Sequence, residues 1–184
     1  MSNFLVGLLK RNNCRFSSVL DIGCGVTANE LHNLASIYKE KDVFNLGKIV
    51  GIDKMCSSRI EMINSFIFAC GGGNLRQFEN DNNILFSRVD ITSNDLPYDT
   101  FGLIILSNIL HLLEFHKAKK VYSSAIDILK PGGFMFIQLA NENHDLLSGP
   151  KWKMSEKELD NLSTLNIIDK GSFDYTRYTL LQKE

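Results

Sequence analysis

Val19-Leu20-Asp21-Ile22-Gly23-Cys24-Gly25-Val26-Thr27-Ala28-Asn29-Glu30-Leu31 joins an apolar run to a helix-like segment through an acidic turn that carries two glycines. Gly23 and Gly25 lack a Cβ, so the chain can turn sharply there and a ligand can come close to the main chain. The N–H groups at the start of the following helix would point toward such a ligand. Asp21 is placed either to accept a hydrogen bond from the ligand or to orient the loop. Strand, glycine turn and helix in this order mark a nucleotide-type cofactor pocket, although the same residues also make an ordinary tight turn.

The chain has 184 residues, 44% of them hydrophobic and 22% charged. That suffices for one well-buried core and is too little for two ordinary domains. A single domain over 1–184 is therefore expected, with 1–17 as a short N-terminal helical extension. The net charge of −1 and a pI near 6.4 supply no bulk attraction for polyanions, so nucleic acid is not favoured as a partner. Cys14, Cys24, Cys56 and Cys70 are widely spaced, with no C-x-x-C pair. That spacing fits reduced structural thiols and a cytoplasmic location better than disulfides or a zinc site, and no metal site is expected. The apolar Phe4-Leu5-Val6-Gly7-Leu8-Leu9 lacks a basic flank before it and meets Lys10 and Arg11 at once. It makes a poor signal peptide and is too short to span a membrane. The sequence leaves the oligomeric state open.

Five to seven short apolar runs alternate with helix-like stretches, which predicts an α/β fold with a parallel sheet covered by helices on both faces. The first strand is expected over Ser18 to Ile22 and the next helix from Thr27 to Tyr38, where Leu31, Leu34, Ala35 and Tyr38 recur at helical spacing. Lys48 to Asp53 reads as the second strand, followed by a helix with Ile60, Ile63 and Ile67 on its buried stripe. Gly71-Gly72-Gly73 ends that helix; without a Gly-Lys-Ser/Thr sequence it is no phosphate loop. Ile84 to Val89 and Phe101 to Leu106 read as strands, and Leu112 to Leu129 as an amphipathic helix with Lys117, Lys119 and Lys120 on its wet side. Pro131-Gly132-Gly133 suits a tight turn into a fifth strand, Phe134 to Leu139. Ser155 to Glu158 forms a capping box for a further helix. Asn166 to Phe173 and Arg177 to Leu181 read as an antiparallel hairpin at a sheet edge.

This order of parts resembles the class I S-adenosylmethionine-dependent methyltransferases, from Val19 to the C-terminus. Asp21-Ile22-Gly23-Cys24-Gly25 looks like that family's first cofactor-binding motif. Gly51-Ile52-Asp53, with Lys54 beside it, resembles the acidic end of the second strand, whose carboxylate in the family takes both ribose hydroxyls. Val89-Asp90-Ile91 looks like the adenine loop, with Asp90 on the exocyclic amine and Ile91 against the ring. Phe101 through Ser107 and Asn108 resembles the fourth strand and its exit, and Leu129-Lys130-Pro131-Gly132-Gly133 the turn before the fifth. The resemblance implies a doubly wound, mostly parallel seven-stranded sheet with a C-terminal antiparallel hairpin. It also implies S-adenosylmethionine as cofactor, S-adenosylhomocysteine as product, and Asp21, Gly23, Cys24, Gly25, Asp53, Lys54, Asp90, Ile91, Ser107 and Asn108 as cofactor-binding residues. A nicotinamide-binding domain would instead show Gly-x-Gly-x-x-Gly and an acidic residue about 20 positions on. Here position 28 is alanine and Asp53 follows Gly23 by 30 residues. The family's frequent third glycine, two positions after the second, is replaced by Thr27, which could cap the helix.

Methyl transfer from a sulfonium is an in-line displacement that holding donor and acceptor in line largely accelerates, so few catalytic side chains are required. A general base would sit near the carboxyl ends of strands four and five. His111 is the candidate, because neutral imidazole titrates near physiological pH; it could equally satisfy a helix start or line the pocket. His144 is the second candidate, and the loop from His144 to Lys153 with Trp152 a possible lid. Phe4, Leu5, Leu8 and Leu9 can form a partial lid or, better, an ordinary packing face. Ser107-Asn108-Ile109-Leu110 has neither proline nor cysteine, which argues against methylation of nucleic-acid bases. A small-molecule acceptor is the expectation. A protein or RNA acceptor at an open site, and a catalytically silent cofactor-binding scaffold, are the alternatives.

Overall fold

A computed structural model describes residues 4–25, 27–39, 47–54, 79–80, 82–93, 96, 99–140, 158, 164–173 and 176–184. The chain divides into two compact units, Met1–Asp95 and Leu96–Glu184. The helix expected around Ile60 to Ile67, the Gly71 to Gly73 triplet, Cys56, Cys70, His144, Trp152 and the start of the capping box at Ser155 lie outside the described residues.

In the first unit, α1 (Phe4–Arg11) precedes β1 (Ser18–Ile22), α2 (Asn29–Lys39), β2 (Lys48–Ile52) and β3 (Ile84–Ser87). The three strands run parallel in the order β3-β2-β1, and Asp21 lies opposite Gly51 and Ile22 opposite Ile52. All of β1 is buried, as expected of a parallel strand covered on both faces. In α1, Leu5, Val6, Leu8 and Leu9 are buried while Gly7 and Lys10 face water, and the helix packs against α2. Burying each such side chain contributes about 1.5–3 kcal/mol, so α1 acts as a packing helix rather than a lid. On α2, Leu31, Leu34 and Ala35 form the buried stripe at i, i+3 and i+4. That helix starts at Asn29, two residues later than expected, because Ala28 has φ 44° and cannot belong to a right-handed turn.

In the second unit, β4 (Phe101–Ser107) leads through a short 3-10 helix (Leu110–Leu112) to α3 (Phe115–Asp127) and β5 (Leu129–Ala140). β6 (Asn166–Phe173) and β7 (Thr176–Gln182) follow. The order is β4-β5-β7-β6; β4 and β5 are parallel, and β7 is antiparallel to both β5 and β6. Together the units carry the seven strands of a mostly parallel α/β fold with an antiparallel C-terminal hairpin. The central positions of β4 and β5, among them Leu103, Ile104, Ile105, Met135, Phe136 and Ile137, are fully or nearly fully buried.

Two sequence expectations need correction here. The single helix from Leu112 to Leu129 is broken: Leu113 is extended, and α3 opens only after Glu114. The 3-10 turn closes on itself, with the N–H groups of Leu112 and Leu113 bonded to the carbonyls of Ile109 and Leu110 at 2.9 and 3.2 Å. Pro131-Gly132-Gly133 does not separate helix from strand; it is a bulge inside β5. Leu129 pairs with Phe101 and Phe134 with Leu103, so five steps on β5 match two on β4. Gly132, at φ 71°, makes this detour possible, and a Cβ on Gly133 would meet the Lys130 carbonyl at 2.8 Å. The C-terminal tail holds the detour in place. The Gly132 N–H donates to the Lys183 carbonyl at 2.8 Å and the Lys183 N–H to the Gly133 carbonyl at 3.0 Å. The Lys183 Nζ donates to the carbonyls of Ile126, in the last turn of α3, and Leu129, at the start of β5, at 2.7 and 2.8 Å.

The hairpin has its own irregularity. Register slips between Ile167 and Asp169, so Ile168 is an inserted residue, and both isoleucines are exposed. Tyr178 stacks at 6.5 Å on Phe136 and donates to Asp169 Oδ1 at 3.2 Å. Its ring crosses β6 where Gly171 leaves room.

Candidate functional site

The glycine turn of the first unit is clamped onto the end of β2. Gly23 and Gly25 adopt φ 77° and 65°, in the left-handed region that glycine enters without strain. The N–H groups of Gly23 and Cys24 both donate to the Ile52 carbonyl, at 2.8 and 3.2 Å. The Gly25 N–H donates to Asp53 Oδ2 at 3.1 Å. These three loop amides are thus committed within the protein, and the first turn of α2, whose N–H groups have no carbonyl partners within the helix, offers main-chain donors for a ligand. A Cβ at Gly25 would meet nothing within 4 Å, so open space adjoins the loop at that point.

Asp21 is buried at the end of β1, only 1% exposed. Cys24 is buried too, forms no disulfide, and its Sγ lies 3.6 Å from the Gly25 carbonyl. Gly51 explains how they fit: a Cβ there would come within 2.7 Å of the Phe86 ring and 2.9 Å of Cys24 Sγ. Asp53 itself is fixed at both ends of its peptide unit, its N–H donating to Ser87 and its carbonyl accepting from Val89, each at 3.3 Å. Lys54 follows, exposed.

Asp90 is exposed and folds its carboxylate back on the loop. Its Oδ1 accepts from the Thr92 N–H at 3.0 Å and from Thr92 Oγ1 at 2.7 Å. The result is an Asx turn that presents Ile91, itself 8% exposed. A pair that sequence reasoning missed lies in the same unit: His32 of α2 meets Glu79 Oε1 at 2.9 Å and sets its ring edge-on to Phe86 at 6.5 Å. Nothing in the spacing of residues 32 and 79 signals that contact.

The second unit gathers a different set at the carboxyl ends of β4 and β5. Ser107 Oγ donates to Gln138 Oε1 at 3.3 Å, and Gln138 Nε2 donates to Thr176 Oγ1 at 3.4 Å. Asn108 leaves the strand at φ 55°, exposed, with its N–H on the Gln138 carbonyl at 2.9 Å. His111, in the 3-10 turn, is buried, and its Nδ1 accepts the Ala140 N–H at 3.5 Å. Burial, and then the positive charge of Arg177, hold the His111 pKa below its usual 6.5. The ring is therefore neutral at pH 7, and with Nδ1 accepting, its proton lies on Nε2. As a base, His111 has to release Ala140; as a donor it is ready as it stands. Sequence reasoning brought out Ser107, Asn108 and His111 but missed Gln138, Thr176 and Arg177. The available signal was a polar residue inside an otherwise apolar strand, Gln138 in Phe134 to Leu139 and Arg177 at the head of β7.

The loop of the first unit fits a nucleoside-bearing cofactor in its own geometry: two positive-φ glycines, open space beside Gly25, and a carboxylate at the exit of β2. The sequence pattern of the methyltransferase domain matches residues 15–180, and the chain belongs to that family. The family's class I members have this Rossmann-like sheet and take their methyl group from S-adenosylmethionine. No curated protein sequence matches the chain.

Solved structures share the fold at low identity. The chain superposes with a TM-score of 0.65 and 14% identity on an S-adenosylmethionine-dependent methyltransferase from Clostridium acetobutylicum, covering 99% of this chain and 90% of that one. With an O-methyltransferase family protein from Burkholderia thailandensis the TM-score is 0.67 at 14% identity; all of this chain but only 58% of that one is covered. Magnesium protoporphyrin IX methyltransferase from Synechocystis, solved with S-adenosylmethionine bound, gives 0.66 at 16% identity, with 100% and 78% covered.

Proposed function

We propose that the chain works as a single methyltransferase domain that binds S-adenosylmethionine through its first unit and methylates a small molecule. The observation that carries this reading is the clamp of Gly25 by Asp53, which shapes the glycine turn before any ligand arrives. In this reading Asp53 also accepts the ribose hydroxyls, with Lys54 beside it. Asp90 and Ile91 receive the adenine, and Asp21, Gly23, Cys24 and Gly25 line the methionine end. Bound S-adenosylmethionine supplies an electrophilic methyl group for in-line displacement.

The protein's contribution is mostly alignment. Burial and Arg177 keep His111 uncharged, and its Nδ1 is already accepting. We therefore assign it as an N–H donor that orients the acceptor, in preference to the base role that its position suggests. A small molecule suits a chain with a net charge of −1 better than RNA does. Among the described residues no helix is long and apolar enough to cross a membrane.

Isothermal titration with S-adenosylmethionine and S-adenosylhomocysteine tests the first half: both bind if the reading holds, and absence of binding overturns it. Labelled cofactor added to fractionated extract tests the second. Label in small molecules supports it; label in protein or RNA alone refutes it.

A further inference from the structure

Asn108 stands where β4 ends, and its backbone takes a conformation that an asparagine enters only at some cost. Its φ is 55°, in the left-handed region where a Cβ crowds the main chain and glycine alone is at ease. Asn13 and Asn83 share that region, but each closes a local turn, its N–H donating at 3.1 Å to the carbonyl three residues back, that of Lys10 or Asn80. Turns of that kind account for an asparagine there. Asn108 closes no such turn with its N–H. That group crosses instead to the Gln138 carbonyl on β5 at 2.9 Å, while the preceding side chain, Ser107, donates to the Gln138 carboxamide. Main chain and side chain of one β5 residue thus set the course of β4 at its exit.

The place is the one at which open α/β sheets take their ligands, the carboxyl end of a central strand. Phe101 through Leu106 are buried, Ser107 is half-buried, and Asn108 is the first exposed residue. Among the described residues nothing bonds to its carboxamide. Glycine would follow the same course without strain; asparagine adds a group with two donors and an acceptor. Strain kept at a ligand-binding strand end is a pointer to function. From Ser107 to Leu113 the exit carries no Asp, Glu, Lys or Arg, and Leu112 is 50% exposed. An ionic group finds no counter-charge on this segment. A neutral group that both donates and accepts finds the carboxamide, and an apolar body finds Leu112. We propose that Asn108 is a specificity-determining contact to the methyl acceptor, and that this acceptor is an uncharged small molecule bearing a polar group that donates and accepts hydrogen bonds. The proposal deepens the function given above and rests on it. It moves Asn108 from the cofactor contact that the family resemblance implies to the acceptor.

The test separates the small-molecule fraction of an extract by ion exchange into anionic, cationic and neutral pools. Each is offered to the full chain with methyl-labelled S-adenosylmethionine. The neutral pool should take the label; transfer confined to the charged pools overturns the proposal. Asn108→Gly keeps the backbone course and removes only the carboxamide. The amount of neutral pool that gives half-maximal rate should rise by about three- to tenfold in this variant. Its affinity for S-adenosylhomocysteine in calorimetry and its midpoint in urea should both hold. Asn108→Asp, of the same shape and equally tolerant of the left-handed region, loses the donor and should raise the half-saturating amount as well. An unaltered half-saturating amount in Asn108→Gly overturns the contact. So does a loss of S-adenosylhomocysteine affinity, which would assign the residue to the cofactor. If Asn108→Gly does not fold, Asn108→Asp decides by the same readings. No transfer from any pool by the wild type sinks the small-molecule methyltransferase reading and this proposal with it; wild-type transfer that the variants leave unchanged sinks this proposal alone.

Discussion

In the first unit, polar side chains at the strand ends bond to main chain: Asp53 holds the Gly25 amide, and Asp90 holds that of Thr92. In the second unit they bond mainly to one another, Ser107 to Gln138 and Gln138 to Thr176. The first arrangement fixes a backbone shape, which a nucleoside of constant structure can use. The second fixes a set of side chains, which substitution can alter without disturbing the loop. In the proposed function the first arrangement serves the cofactor and the second the acceptor.

Breaking the backbone-held side should give the largest effects. Asp53→Ala removes a charge-assisted bond to Gly25 and the proposed ribose acceptor together. Loss of hydrogen bonds to a charged group is worth about 1.5–3 kcal/mol, so S-adenosylmethionine affinity should fall by about 10- to 100-fold in calorimetry. Unchanged affinity would separate the loop clamp from cofactor binding. Gly51→Val forces a side chain into the space shared by Phe86 and Cys24. Overpacking of this kind costs about 1–3 kcal/mol, visible as a lower midpoint in urea unfolding.

The second unit should respond more mildly. Lys183→Met removes one ammonium and its two hydrogen bonds to the carbonyls of Ile126 and Leu129 and should cost about 1–2 kcal/mol, because part of the loss is recovered by water. Thermal melts would show it, with no change in cofactor affinity. The depressed pKa of His111 predicts a pH effect of defined sign. Below the unfolded value of 6.5 the unfolded chain takes up a proton that the folded chain resists. Stability from this group should therefore be complete above that pH and decline as the pH falls through it toward the lower folded value. Urea unfolding from pH 5 to 8 should show the slope, and His111→Gln should remove it. The smallest effect belongs to Ala28→Gly: relief of the 44° φ is offset by added freedom in the unfolded chain, leaving a change within about 1 kcal/mol.

The same contrast explains what the sequence disclosed. β1, the glycine turn and β6 were legible at residue level because each depends on neighbours in the chain: an unbroken apolar run, residues without Cβ, and β-forming stretches between turn residues. Thr27 and Ala28 were recognisable as departures from a glycine pattern, but the positive φ at Ala28 was not, since only the packing around it imposes that conformation. Gln138, Thr176 and Arg177 escaped notice for a different reason. The contact of Gln138 with Thr176, and the place of Arg177 on the other face opposite Leu139, depend on which residue of β7 stands opposite which residue of β5, and a shift of one position would turn each to the other face. The Pro131 to Gly133 detour was misread as a turn between elements because proline and glycine mark any change of direction, including one inside a strand.

The slip at Ile168 bears on how copies of this chain behave at high concentration. β6 is the outer strand of its unit, and two adjacent exposed isoleucines on a flat outer strand would offer a ready template for another chain. The inserted residue bends that ladder and leaves it out of step with any straight partner, and Lys170 adds a charge nearby. Straightening it by deleting Ile168 should convert a self-limiting edge into one that pairs with other copies of the chain.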